Sequence, residues 1–158
     1  MPRIRRLKRN EADMNQLGEG LSGIKHGDGP LHEVVVSLGT NDPPRCRRIL
    51  EAIAAMRGLL LDCRVSDIYE TPEIHGYGDP YMNAVLSGRT RMDQTELERF
   101  SKQYEVKAGR DALARKEGRV PIDIDIVVWD GTVVRPKDYA QSFFRIGYTA
   151  LNLKSAAL

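Results

Sequence analysis

Ile122-Asp123-Ile124-Asp125-Ile126-Val127-Val128-Trp129, followed at once by Asp130-Gly131 and Thr132-Val133-Val134, is the stretch on which the fold turns. β-Branched residues dominate it, and Asp-Gly between two such runs is the strongest short hairpin signal in the chain. Side chains alternate along a strand, so Ile122, Ile124, Ile126 and Val128 share the core face, while Asp123, Asp125, Val127 and Trp129 share the other. The two carboxylates then stand side by side, their Cα atoms about 6.5 to 7 Å apart. Like charges that close repel, and a cation between them removes the repulsion. Oxygen ligands on a rigid strand suit a hard ion such as Mg²⁺, which takes one or two carboxylates plus substrate phosphates. Asp-x-Asp alone is a weak signal, and the alternative is a solvated strand face salt-bridged to lysines or arginines.

Immediately upstream, Lys107, Arg110, Arg115, Lys116 and Arg119 face only Asp111 and Glu117 in a loop that leads into the carboxylate strand. Alone, such a run is usually a solvated loop. Beside paired carboxylates it suits a polyphosphate, because guanidinium groups and a divalent cation together neutralise a transferring phosphoryl group.

Further out, Asp93 with Glu96 three residues later forms a capping-box-like start to a helix carrying Leu97, Phe100 and Tyr104 and stopped by Gly109. Before it, residues 81–89 read as a strand, and Glu73 to Pro80, with its Gly and Pro residues, as a loop. Alternation of Leu61, Cys63, Val65 and Tyr69 predicts one half-buried strand over 60–69, ending at Thr71-Pro72. An earlier helix is expected with Asp42 as its cap and Ile49, Leu50, Ile53 and Met56 on its apolar stripe before Gly58. Val34-Val35-Val36-Ser37-Leu38, closed by Gly39, is the first strand. The order β-α-β-β-α-β plus a hairpin strand predicts an α+β, ferredoxin-like fold: an antiparallel sheet with both helices on one face.

The chain has 158 residues, 29% charged and 41% hydrophobic, with a net charge of +2. That describes one globular domain, expected over 33–158. Residues 1–32 are basic, then Gly-rich, with no sustained period; they are expected to be a poorly ordered leader, with Met14 available as an alternative start. Acidic residues are mixed into that leader and no aromatics interleave, which disfavours a nucleic-acid arm. No apolar run approaches the roughly 20 residues of a membrane span. Cys46 and Cys63 lack metal-ligand spacing and read as reduced, structural thiols in a cytoplasmic protein.

Tyr81 and Asn83 fall on one strand face, where a ring and an amide could receive a flat polar heterocycle. Equally, Tyr81 could be core and Asn83 a turn residue. His75 reads as an ordinary loop histidine.

Val36-Ser-Leu-Gly-Thr-Asn41, Tyr69-Glu-Thr-Pro72, Asp79-Pro-Tyr-Met-Asn-Ala84, Gly109-Arg110 and Ile122-Asp-Ile-Asp-Ile126, in this order and approximate spacing, resemble the signatures of the 6-hydroxymethyl-7,8-dihydropterin pyrophosphokinases. The resemblance covers about residues 33–151. It implies Mg²⁺-dependent transfer of pyrophosphate from ATP to the pterin's hydroxymethyl group, releasing AMP, in folate biosynthesis. It further implies two Mg²⁺ on Asp123 and Asp125, catalytic roles for Arg110 and Arg119, and ATP contacts from Arg110, Arg115, Lys116 and Arg119. Thr71, Ile74, Tyr81 and Asn83 would line the pterin pocket, with Phe144 as a second stacking ring. The partners implied are small molecules, ATP and a pterin, with neither nucleic acid nor membrane.

The sequence departs from the family pattern at Glu117, Val120, Pro136 and Ser142, and the family's last segment is expected to be largely absent before Leu158. Those departures leave a second expectation: a divergent member that binds a nucleotide or pterin-like ring without this reaction, or phosphorylates another small alcohol. A ferredoxin-like RNA-binding module ranks last, because the aromatic-rich strand motifs of that class are missing.

Overall fold

The structure, a computed structural model, describes residues 29–158. Most of the leader reading therefore lies outside the described residues. The elements are β1 (His32–Thr40), α1 (Arg45–Leu59), β2 (Leu61–Val65), β3 (Tyr69–Thr71), β4 (Tyr81–Thr90), α2 (Gln94–Lys107), α3 (Ala112–Lys116), β5 (Asp123–Trp129), β6 (Thr132–Val133), α4 (Pro136–Tyr139) and α5 (Ser142–Ala150). The sheet order is β2-β4-β1-β5-β6 with β3 also on β4, and every strand pair is antiparallel. This is the α+β ferredoxin-like arrangement.

Alternation along the strands divides the sheet into two faces. Val34, Val36 and Leu38 of β1, Ala84 and Leu86 of β4, and Ile124 and Ile126 of β5 pack with Ile49, Ile53 and Met56 of α1 and Leu97 of α2. Both of these helices thus cover one face, as expected. On the other face Val35, Val85 and Val127 meet Phe144 and Tyr148 of α5, a helix absent from the sequence reading. Gly147 permits that approach: a Cβ there would lie 2.6 Å from Val85 Cγ2 and 2.8 Å from the Tyr69 hydroxyl.

Because α5 covers only part of its face, the same parity leaves Ser37, Gly39, Asn83, Asp123 and Asp125 beside it, lining an open cavity. Register aligns them in rows: Asn83 opposite Gly39 opposite Asp123, and Ser37 opposite Asp125.

Several local expectations need correction. The strand expected over 60–69 is two strands, because Asp62 takes φ +51 and the register slips between Leu61 and Arg64. Ser66 then exchanges bonds with Val85, its Oγ accepting from Val85 N–H at 2.9 Å and its N–H donating to Val85 O at 2.9 Å. Ile68 is buried in the core between β2 and β3. Asp42 does not cap α1, which begins after Pro44 with no side-chain cap; it pairs instead with Arg48 at 3.0 Å and Arg119 at 3.3 Å. Leu50 is exposed rather than on the buried stripe. Asp93 does cap α2, accepting from Glu96 N–H at 2.8 Å. Asp130 and Gly131 both take positive φ, as a type I′ hairpin turn requires.

Candidate active site

Asp123 and Asp125 sit near one end of β5, where β6 does not reach and α2 supplies side chains to the strand edge instead. Glu105 Oε1 accepts from Ile124 N–H at 2.9 Å, and Lys102 Nζ donates to Ile124 O at 3.3 Å. Each aspartate also carries protein cations: Arg110 reaches Asp123 Oδ1 at 2.7 Å, and Lys102 and Arg135 reach Asp125 Oδ1 at 3.2 and 3.6 Å. The salt-bridged strand face weighed as the alternative to a metal site is therefore present as well.

Burial first, and then the charge of Asp123, pushes Asp125 up to about 6. Asp123 moves down: burial opposes its charge, but the hydrogen bonds from Arg110 and with Asp125, together with nearby positive charge, outweigh it. Two adjacent hard oxygen donors, one of which retains a proton toward neutrality, form a set that a divalent cation fits. Among the described residues no group of three or more His, Cys, Asp or Glu is placed to hold a metal, so remaining ligands would come from substrate phosphates or water.

A pH-dependent outcome follows. The Asp125 carboxyl has a folded value above its ordinary 3.8, so its contribution to stability is full below that value and lost as pH rises through about 6. Asp125→Asn should stabilise the metal-free protein by roughly 1 to 3 kcal/mol at pH 7, with no gain at pH 4. Melting temperatures of the two proteins across pH 4 to 8 would refute this if the difference were constant.

Two adjoining cavities share Tyr81 and Glu73 as their common wall. The smaller, about 230 Å³, contains Thr71, Ile74, Tyr81 and Asn83 together with both aspartates. Asn83 spends its amide N–H on Thr71 Oγ1 at 2.8 Å and Tyr69 O at 3.3 Å. Its Oδ1 lies over Gly39, 3.3 Å from where a Cβ would be, so the cavity receives an acceptor rather than the donor and acceptor expected. Phe144 does not line this cavity: it is fully buried, stacked on Tyr148 at 5.0 Å, and Phe143 one residue earlier is the ring at the cavity. Gly39→Ala would place a methyl between Asn83 and Tyr81, and ligand affinity for the small cavity should fall by about tenfold or more, on the overpacking scale of 1–3 kcal/mol. A calorimetric titration that returned unchanged affinity would refute this.

The larger cavity, about 610 Å³, is lined by Arg110, Arg115 and Arg119; Lys116 is solvent-exposed outside that lining. Asn41 clamps the Arg119 loop, donating to Gly118 O at 2.9 Å and accepting from Val120 N–H at 2.7 Å. Arg119 itself is tied to Glu117 at 2.6 Å and Asp42 at 3.3 Å. Sequence reasoning did not single out Ser37, Gly39, Lys102, Glu105, Arg135 or Phe143. The parity of Ser37 and Gly39 against Val36 and Leu38 was available as a signal; the long-range pairing of Lys102 and Glu105 was not.

The sequence profile of a family described as 7,8-dihydro-6-hydroxymethylpterin-pyrophosphokinase (HPPK) matches residues 35–152. The chain belongs to this family. The matched span includes every element that brings residues to the two cavities. A 2-amino-4-hydroxy-6-hydroxymethyldihydropteridine pyrophosphokinase of Aquifex aeolicus is 32% identical over 106 residues, 66% of this chain and 65% of that protein. Two Arabidopsis thaliana relatives are a folate synthesis bifunctional protein, 32% identical over 101 residues, and a mitochondrial one, 36% identical over 100. These alignments take in 63% and 62% of this pyrophosphokinase-family chain but only 21% and 18% of the plant proteins. No helix among the described residues is long and apolar enough to cross a membrane.

Proposed function

We propose that this protein transfers pyrophosphate from ATP to the hydroxymethyl group of 6-hydroxymethyl-7,8-dihydropterin, releasing AMP, in folate biosynthesis. The observation that carries this reading is the position of Asp123 and Asp125 in a cavity lined by Tyr81, Asn83 and Phe143 that adjoins an arginine-lined one. In the smaller cavity Tyr81 and Phe143 supply ring faces for the heterocycle, and the Asn83 carbonyl accepts from a ring N–H or amino group. In the larger one Arg110, Arg115 and Arg119 bind the triphosphate. Asp123 and Asp125 would hold Mg²⁺, which when bound neutralises charge on the phosphates. The substrate's own hydroxyl oxygen bonds to the β-phosphorus as the β-phosphorus bond to the α-phosphate oxygen breaks. AMP leaves with that oxygen and the hydroxyl proton passes to solvent, so no side chain acts as a nucleophile. The protein's part is to hold the reacting atoms in line and to stabilise the charge that develops.

The ion pairs that tie Arg119 to Glu117 and Asp42 support the second reading, a divergent member that binds a nucleotide or pterin-like ring without this reaction. AMP release from ATP, Mg²⁺ and the pterin separates the two. If Arg119 leaves its carboxylates for the phosphates, Arg119→Ala lowers turnover by about 10² to 10³, the scale of one lost charge-stabilising donor. Turnover indifferent to Arg119 would refute its role, and absence of AMP release with intact ligand binding would favour the second reading.

A further inference from the structure

The protein cations on the aspartate pair occupy one oxygen of each carboxylate. Arg110 binds Asp123 Oδ1 at 2.7 Å, and Lys102 and Arg135 converge on Asp125 Oδ1. Lys102 is the most firmly seated of the two on Asp125. Its ammonium also donates to Glu105 Oε1 at 3.1 Å and to Ile124 O at 3.3 Å, three acceptors for its three N–H groups. Arg135 sits farther from Asp125, at 3.6 Å, and has Asp138 at 2.5 Å to fall back on.

We propose that Lys102 is a resident cation of the aspartate pair, so that the site takes up one divalent ion per nucleotide and the Lys102 ammonium stands in for a second. Glu105 is not a further ligand: its Oε1 accepts from Ile124 N–H, Lys102 and Arg110, and its side chain, 5% exposed, does not line the small cavity. Both aspartates line the small cavity, and each keeps one oxygen, Oδ2, outside these ion pairs. Mg²⁺ requires an octahedral shell and completes it with phosphate and water oxygens. Two carboxylate oxygens meet that need once; a second ion would need Asp125 Oδ1, which Lys102 holds. Lys102 thereby acts through Asp125, as a positioning residue that sets how much of the local charge is supplied by the chain and how much by metal.

The inference rests on the proposed function, and counting bound ions separates the two. The full chain is mixed with a non-hydrolysable ATP analogue, the pterin and Mn²⁺, and bound Mn²⁺ is counted by electron paramagnetic resonance. Wild type should hold one ion per nucleotide, Lys102→Arg should keep one because the charge is kept, and Lys102→Gln should take two. Two ions in wild type overturn the inference, as does one ion in a folded Lys102→Gln; the wild-type count decides even where the glutamine variant fails to fold. A purely structural Lys102 would change the melting temperature and leave the count unaltered. No ion bound by wild type in the presence of nucleotide would instead overturn the proposed function, and this inference with it.

Discussion

If the proposed function holds, Asp123→Ala should abolish metal-dependent nucleotide binding and reduce the proposed pyrophosphate transfer by at least about 10² to 10³, with the chain still folded; Asp125→Ala should do the same. Both side chains point away from the α1/α2 core and toward the small cavity, so neither supports the packing that holds β5 in place. Their loss removes a pair of neighbouring carboxylates in that cavity suited to fix a hard cation against a phosphate. The alanine variants differ in what they leave behind. Arg110 keeps Glu105 as a partner when Asp123 is lost, and Lys102 keeps Glu105 when Asp125 is lost, so no buried cation is stranded. Calorimetry with the ATP analogue at saturating Mg²⁺, beside a thermal melt, provides the check. Unfolding of either variant with binding retained in the folded fraction would show that the pair is structural.

Glu105→Ala should destabilise the fold by about 1 to 3 kcal/mol, the usual consequence of leaving a buried hydrogen-bond donor without its acceptor. Its side chain is 5% exposed and does the work of a missing strand, accepting from Ile124 N–H at 2.9 Å while holding Lys102 and Arg110. Burial raises its carboxyl, and the Ile124 and Lys102 bonds oppose that rise. With alanine there, the buried Ile124 N–H on a core strand has no acceptor, while Lys102 and Arg110 keep Asp125 and Asp123. Glu105→Gln retains an oxygen for Ile124 and should recover part of the loss. Urea denaturation decides: a deficit under about 1 kcal/mol for the alanine variant would show that water seals the β5 edge as well as Glu105 does.

Local chemistry was legible in the sequence. Alternation from Ile122 to Ile126 placed the aspartates on the non-core side, but a register shift at Val127 puts Val128 in the α5 cluster and Trp129 against the α1/α2 core, the reverse of expectation. Asp130-Gly131 marked a real hairpin, and Asp93 a real cap. Where a single residue had competing partners, pattern alone misled. Asp42 stands where a cap belongs, yet two arginines distant in sequence or one turn on outbid the helix N-terminus for its carboxylate. Phe143 and Phe144 are adjacent aromatics, and which faces the cavity depends on how α5 is rotated against the sheet, a tertiary matter. Asp62 and the slip it brings were hidden because Leu61, Cys63 and Val65 keep the alternation of an unbroken strand. The network of Lys102, Glu105 and Arg110 spans helix, loop and strand, and no spacing rule joins them.

Tyr69 has a consequence for ligand choice. Its hydroxyl donates to Phe143 O and accepts from Gly147 N–H at 3.1 Å, and burial holds the phenol well above its ordinary value, so it stays protonated. One atom thus pins two successive turns of α5, and neither sliding nor rotation of the helix can keep both bonds. Tyr69 also lies opposite Asn83 in the β3–β4 ladder. The acceptor on the cavity floor and the ring on its wall are in this way indexed to the same strand position, which makes the gap between them a fixed gauge: a ligand is sorted by its thickness and edge, and the wall does not adjust to fit it.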